Sequence, residues 1–318
     1  MNLYRSEAAN HICIAGLGGV GGYFGGMIAL NITSNYKDKR DVTFIARGPH
    51  LEAVKKNGLV IKPWTGEPFT CYPNVATDRV SDLPYLNLII AAVKGYDLED
   101  MMKSLKEKIT DETVIIPLLN GVDNEEKIRK VTVKGIILPS CVYIASKIEE
   151  PGVISMMGDM ARIVSGPDLG NPDYDKEEII AFFKSMGINF KWDENPQIPI
   201  WKKFIFIAPA ALITAANNVT INGIAGDPAL KSDFYGIMEE IRAIAEKKDI
   251  ILPADSEEKS YKIVENIDKN AKTSFQLDLE KGKSKTEIDT FGYSIVRMGK
   301  ETGISTPVTE KVLKTIKI

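Results

Sequence analysis

His11-Ile12-Cys13-Ile14-Ala15, running straight into Gly16-Leu17-Gly18-Gly19-Val20-Gly21, is the stretch on which the fold turns. The short apolar run predicts a buried parallel strand, and the GxGxxG after it opens a small-residue helix, Gly22-Tyr23-Phe24-Gly25-Gly26-Met27-Ile28-Ala29-Leu30. Gly16 permits a tight turn off the strand, Gly18 lets a pyrophosphate approach the backbone, and Gly21 lets the helix pack closely on the sheet. The free N–H groups and positive dipole end of that helix suit phosphates. Gly16, Leu17, Gly18, Gly19, Val20 and Gly21 are therefore the expected dinucleotide-binding loop.

Further along, Asp41-Val42-Thr43-Phe44-Ile45-Ala46 reads as the second strand, and Arg47 closes it. A fold specific for NAD usually places an acid here to hold the ribose 2′-hydroxyl. A guanidinium instead forks onto a 2′-phosphate, so NADP(H) is expected over NAD(H), with Arg47 as a contact. Residues 58–80 suggest short β-excursions. Strands at 86–93 and 113–119 end in Lys94 and Asn120. In an open α/β sheet the carboxyl ends of strands border the ligand crevice, so Arg47, Lys94 and Asn120 outline a cofactor-facing rim.

A strand at 135–143 and a hairpin over 147–166 follow, with Glu150-Pro151-Gly152 entering the hairpin and Gly158-Asp159 near its turn. A helix over 175–186 and a strand at 190–192 complete the first half. The polar, proline-broken Asp193–Pro199 marks the boundary between a Rossmann-type domain, 1–194, and a second domain, 195–318. From Trp201 to Asn217 the chain is apolar nearly all round, which predicts a buried central helix. Helices at 234–247, 256–267, 272–281, 285–300 and 307–316 make the second half all-helical. The fold class is α/β, a dinucleotide-binding domain followed by a helical one.

The 318 residues carry a net charge of −3, which gives no electrostatic reason to bind nucleic acid or an anionic membrane. The first ten residues lack a signal-like apolar core, and no uninterrupted apolar run approaches the ~20 residues of a membrane span. Cys13, Cys71 and Cys141 are odd in number and widely spaced, so free thiols in a reducing cytoplasm are expected. With His11 and His50 the only histidines, no metal spacing exists.

Two charges in the helical half stand out. Lys203 sits in Trp201-Lys202-Lys203-Phe204, just inside an apolar helix, and Glu287 in Lys285-Thr286-Glu287-Ile288-Asp289. A lysine beside a low-dielectric cleft can give a proton to a developing alkoxide, and a nearby glutamate can orient it or bind a substrate hydroxyl. From pattern alone, the stronger reading is that Lys202 and Lys203 are surface charges and Glu287 a helix-start acid.

The order of motifs resembles the ketopantoate reductase (2-dehydropantoate 2-reductase) family over nearly the whole chain. The matching pieces are GLGGVGGYFGG, the Arg after the second strand, VKGYDLE, LLNGVDNEEKI, EEPGVI, WKKF, SFQLD, TEID and GISTP. The resemblance implies an NADPH-binding N-terminal domain and a helical C-terminal domain, with reduction of a 2-oxo acid, by default 2-dehydropantoate, in pantothenate biosynthesis. It makes Lys203 the catalytic acid and Lys202 a bystander. Glu287 and Ser274 become substrate-binding residues, Lys94 and Asn120 cofactor contacts, Asn120 also reaching the reacting centre, and Asn222 a further substrate contact. Two positions depart from the pattern. Where the family carries asparagines four and eight residues after the lysine, this chain has Ile207 and Ala211. That opens a second reading, a more apolar 2-oxo acid as substrate. A third is a non-catalytic NADP(H)-binding sensor, against which the joint presence of Lys203 and Glu287 argues. A homodimer is compatible with the sequence.

Overall fold

The computed structural model describes residues 10–35 and 38–317. Apart from Asn10, the expectation about the first ten residues lies outside that range. Two compact units divide the chain: one runs to Leu119 and resumes over Asn124–Pro196, the other comprises Asn120–Asp123 and everything from Gln197.

In the first unit the elements run β1 (His11–Ala15), α1 (Gly19–Thr33), β2 (Asp41–Ile45), α2 (Gly48–Asn57), β3 (Leu59–Lys62), β4 (Phe69–Cys71), β5 (Val75–Thr77), β6 (Leu86–Ala91) and α3 (Leu98–Leu105). They continue through β7 (Ile109–Pro117), α4 (Asn124–Arg129), β8 (Ile136–Ile137), β9 (Ser140–Glu150), β10 (Val153–Ser165), α5 (Lys176–Ser185) and β11 (Asn189–Trp192). Six strands form an all-parallel sheet in the order β5-β2-β1-β6-β7-β8. Its central strands are apolar on both faces, as a sheet covered on both sides requires. Succession runs outward from β1 in both directions, so the order reverses between β1 and β6. That is where such sheets bind ligands.

A second sheet is built on the β9–β10 hairpin. The free edge of β10 is taken by β3 at its start and by β11 at its end, both parallel, and β4 pairs with β3. Helix α1 lies between the two sheets, and its glycines show it. A Cβ on Gly25 would come within 2.9 Å of Ile14 in the parallel sheet, and one on Gly22 within 2.6 Å of Ile154 in the other. Small residues on both flanks let two sheets close on one helix.

The hairpin turn is Pro151-Gly152, not the neighbourhood of Gly158-Asp159. Glu150 pairs with Val153 across it, proline fixes the first turn residue, and Gly152 takes φ +84°. Gly158 instead marks a register irregularity inside β10, between Met156 and Ala161. Cys13, Cys71 and Cys141 are free and buried, and burial pushes the thiols of Cys13 and Cys71 up to about 12, away from reactive thiolate.

The second unit contains α6 (Gln197–Asn217), α7 (Pro228–Lys247), α8 (Ser256–Asn266), α9 (Ser274–Glu280), α10 (Ser294–Thr302) and α11 (Pro307–Leu313), and no strand among its described residues. Helix α6 is its centre: α7, α8, α9 and α11 all pack against it. It is long and apolar enough to cross a membrane by length and composition, yet most of it is buried as a core helix. Pro209 interrupts its hydrogen-bond ladder, so the Ile205 carbonyl lacks its usual helical partner. The helix expected from 285 begins near Ile288 and opens with a π-helical stretch, Asp289–Tyr293, before α10. Such π segments occur frequently at functional sites.

Candidate active site

The GxGxxG loop joins β1 to α1 at the point where strand order reverses. Two of its glycines answer to the protein itself. Gly16 has φ +101°, and a Cβ on Gly21 would fall 2.0 Å from the Gly16 carbonyl oxygen. Gly18 does not. Its φ of −73° and ψ of −166° suit any residue, and a Cβ there would meet no protein atom within 4 Å. The fold leaves that space open directly before the first N–H groups of α1. This is the cradle a pyrophosphate needs. Gly19 is held by a different neighbour, since its Cβ would strike the Ser146 carbonyl oxygen at 2.4 Å.

Arg47 stands at the end of β2, in extended backbone just before α2. Its side chain is 75% exposed, and the guanidinium donates to the Asp97 carboxylate at 3.0 Å. Asp97 lies fifty residues away in sequence, on the 3-10 turn Gly95–Asp97 after β6, and the sequence reading missed it. An exposed pair of this kind contributes little to stability, so Arg47 can be drawn to a phosphate. Lys94 is partly buried in the same segment, three residues beyond β6.

In the second unit, the Lys203 ammonium donates to the Asn120 side-chain oxygen at 2.9 Å. Lys203 is partly buried, whereas Lys202 is exposed. Asn120 belongs to the four-residue stretch Asn120–Asp123, which follows β7 in sequence but clusters with the helices. Arg297 lies 3.6 Å from the carboxylate of Asp123 in that stretch and forks onto Asp289 in the π segment. Glu287 is buried, 4% exposed, one turn ahead of Phe291, whose N–H binds the Glu287 main-chain oxygen at 3.1 Å.

Ser274 opens α9 and is exposed, and its side chain makes no hydrogen bond among the described residues. Its neighbour Thr273 caps α9 and shares a 3.0 Å hydrogen bond with Thr214 of α6. The π segment packs against α6 as well, so Lys203, Ser274 and Glu287 all sit on, or beside, elements lying on one helix. Asn222 does not join them. Its amide donates to the Val264 and Glu265 carbonyls at 3.1 and 3.0 Å, capping the end of α8. The Asn222 amide nitrogen thus has a structural task at the end of α8. Of the two departures along α6, Ile207 is partly exposed and Ala211 fully buried. No group of three or more metal-ligating side chains occurs among the described residues.

Comparison with known proteins agrees with this layout. The family described as Ketopantoate reductase PanE/ApbA matches residues 12–169, and its C-terminal counterpart matches residues 197–318. The chain is 27% identical to an uncharacterized oxidoreductase, YkpB, of Bacillus subtilis, over 96% of this chain and 97% of that one. It is 28% identical to the 2-dehydropantoate 2-reductase of Archaeoglobus fulgidus, over 96% of each. Among solved structures it resembles the PanE/ApbA family ketopantoate reductase from Ralstonia eutropha JMP134, with TM-score 0.84, 24% identity, and coverage of 96% and 97%. D-mandelate dehydrogenase, solved with NADH and anilino(oxo)acetate, shares the fold at TM-score 0.80 and 21% identity, covering 96% and 97%.

Proposed function

We propose that this chain, which belongs to the ketopantoate reductase family and is an oxidoreductase of 2-oxo acids, uses NADPH to reduce 2-dehydropantoate to pantoate, in pantothenate and coenzyme A biosynthesis. The observation that carries the catalytic part is the 2.9 Å bond between Lys203 and Asn120, with Lys202 left in solvent. A bound nicotinamide supplies the hydride to the keto carbon. Lys203 then gives its proton to the oxygen that becomes the hydroxyl, and Asn120 holds the ammonium in place through its amide oxygen. Buried Glu287 orients substrate, and the free hydroxyl of Ser274 binds its carboxylate. Gly16–Gly21 would hold the pyrophosphate, Arg47 the 2′-phosphate, and Lys94 and Asn120 the remainder of the cofactor. Residues 1–194 serve as the cofactor domain and 195–318 as the substrate domain. Three buried free thiols suit a reducing cytoplasm, where we place the enzyme, as a homodimer.

NADPH oxidation across a panel of 2-oxo acids, 2-dehydropantoate included, tests the assignment. Absence of turnover on every member would favour a non-catalytic sensor. A second reading keeps the reaction and changes the substrate. Ile207 and Ala211 follow Lys203 at four and eight residues on α6 and offer no amide to a substrate's polar end. A 2-oxo acid with a branched aliphatic tail would suit that face, and the fold accommodates other 2-oxo acid chemistry, since D-mandelate dehydrogenase shares it.

A further inference from the structure

Arg297, on α10, stands between two carboxylates. Its Nη1 and Nη2 donate in a fork to Asp289 in the π segment, Nη2 at 3.1 Å. Nη2 also lies 3.6 Å from the carboxylate of Asp123, at the far end of the Asn120–Asp123 stretch. The π segment makes the fork possible. Two turns of a regular α-helix take about seven residues, so a residue eight further on falls off the starting face. The wider π turn absorbs one residue more, which brings Arg297 onto the face of Asp289. Helical side chains lean toward the N-terminus, the direction in which Arg297 reaches.

As a lone pair, Arg297 and Asp289 would add little to stability, since both are about half exposed. A bidentate fork shared with a third charge, the mostly buried Asp123, forms a network that fixes geometry. What it fixes lies around the proton donor. No helix or strand runs through Asn120–Asp123, and Gly121 turns the chain there at φ +102°, so side-chain partners take a larger share in placing Asn120. Lys203 meets the Asn120 end of the stretch and Arg297 the Asp123 end. On the other side of the bridge, Asp289 follows the buried Glu287 by two residues.

We infer that Arg297 is a positioning residue for the reduction. By bridging Asp123 and Asp289 it keeps the Asn120 stretch and the segment after Glu287 at one spacing, and so holds Asn120 where Lys203 can donate to it. The inference rests on the assignment of Lys203 as proton donor under the proposed function.

The test compares wild type, Arg297→Met, Asp123→Asn and the double variant. Lys311→Met is the control, because its exposed pair with Asp233 lies on α11, outside the network. Turnover at saturating NADPH and the best 2-oxo acid of the panel is read beside amide hydrogen exchange and the thermal midpoint. Arg297→Met lowers kcat about 10- to 100-fold, the cost of a roughly 1 Å misplacement beside the reacting groups, and leaves the NADPH dissociation constant within about threefold. Exchange across residues 118–124 rises at least about fivefold, while the thermal midpoint moves by no more than about 3 °C. Asp123→Asn gives a similar fall, and the double variant is no slower than the slower single, because both changes remove one bridge.

Additive losses in the double variant overturn the inference, as does unchanged exchange over 118–124 or a kcat near that of wild type. So does a Lys311→Met variant as slow as Arg297→Met. If Arg297→Met does not fold, Arg297→Lys replaces it. One ammonium cannot fork onto Asp289 and also reach Asp123, so wild-type kcat with wild-type exchange then overturns the inference. A wild type that reduces no 2-oxo acid brings down the reaction and this role with it, whereas exchange, which needs no turnover, tells whether the bridge itself failed.

Discussion

Lys203 on α6 donates to Asn120, eighty-three residues earlier in the chain, at 2.9 Å, while the adjacent Lys202 stays in solvent. A charge-assisted hydrogen bond of this kind contributes about 1.5–3 kcal/mol and restricts a side chain that is otherwise rich in rotamers. It separates two lysines that sequence alone leaves side by side.

Lys203→Ala is expected to lower turnover by roughly 10²–10⁴, the usual contribution of a general acid, with NADPH affinity nearly intact. Lys202→Ala should do little. Steady-state kinetics with NADPH titrations check both, and reversed behaviour of the two variants would move the register of the helix by one residue.

NADPH should bind at least about tenfold tighter than NADH, since a lost charge-assisted pair costs about 1.5–3 kcal/mol. Arg47→Ala should erase most of that preference. The structure adds a second lever. Asp97, at 3.0 Å from Arg47, competes with a 2′-phosphate for the guanidinium, so Asp97→Asn should raise the NADPH/NADH affinity ratio by a few-fold. Both ratios come from the same titration.

Gly18→Ala should fold as wild type, because the backbone there is ordinary and the added methyl meets no protein atom within 4 Å. Its thermal midpoint should stay within about 2 °C of wild type, consistent with the small effect of surface changes away from strained or packed sites. Cofactor binding should weaken by at least about tenfold, because the methyl occupies the space of the phosphates. Gly21→Ala should do the opposite, failing in stability first, since its Cβ falls 2.0 Å from the Gly16 carbonyl.

Burial holds the His50 imidazole below its usual 6.5, with the Leu17 main chain opposing in part. The unfolded chain therefore binds this proton more readily than the folded one. The stabilising contribution of the neutral ring is complete above about pH 6.5 and is lost as pH falls below it toward the lower folded value. Between pH 7 and pH 5 wild type should lose more stability than His50→Asn, which has nothing to titrate. Thermal midpoints measured across that interval check the difference.

On α6, Ile207→Asn should shift preference toward 2-dehydropantoate by roughly 5- to 150-fold, the value of about 1–3 kcal/mol for pairing a buried hydroxyl. Ala211 is fully buried, so Ala211→Asn should instead cost stability of similar size by burying an unpaired amide. Competition between 2-dehydropantoate and a branched aliphatic 2-oxo acid reads the first effect, and thermal unfolding the second. Tight, micromolar turnover of 2-dehydropantoate by the unmodified protein would show that other groups replace the missing amides.

Much of this architecture was readable from local pattern. Strand β1, the glycine loop, the apolar β6 and the central helix α6 each carry a period that only one environment satisfies. What could not be read was pairing across distance. Asp97 reaches Arg47 from the turn after β6, and Asn222 reaches the end of α8, and neither leaves a trace in the spacing of nearby residues. Helix α2 went unread although Pro49 stands at its start, because ten residues give the period little room. The hairpin turn was misplaced because two glycine-bearing segments compete for it. Pro151, with its fixed φ, decides between them.

Asn120–Asp123 clusters with the helices although residues on either side of it do not. A fragment expressed from Gln197 onward would carry Lys203, Ser274 and Glu287 and yet lack Asn120, to which Lys203 donates. Recombination at the 196/197 junction between two relatives would likewise separate the lysine from the asparagine it bonds to. A chimera that exchanges helical halves must carry this four-residue island from the same parent, grafted into the loop after β7, if the proposed proton donor is to keep its bond to Asn120.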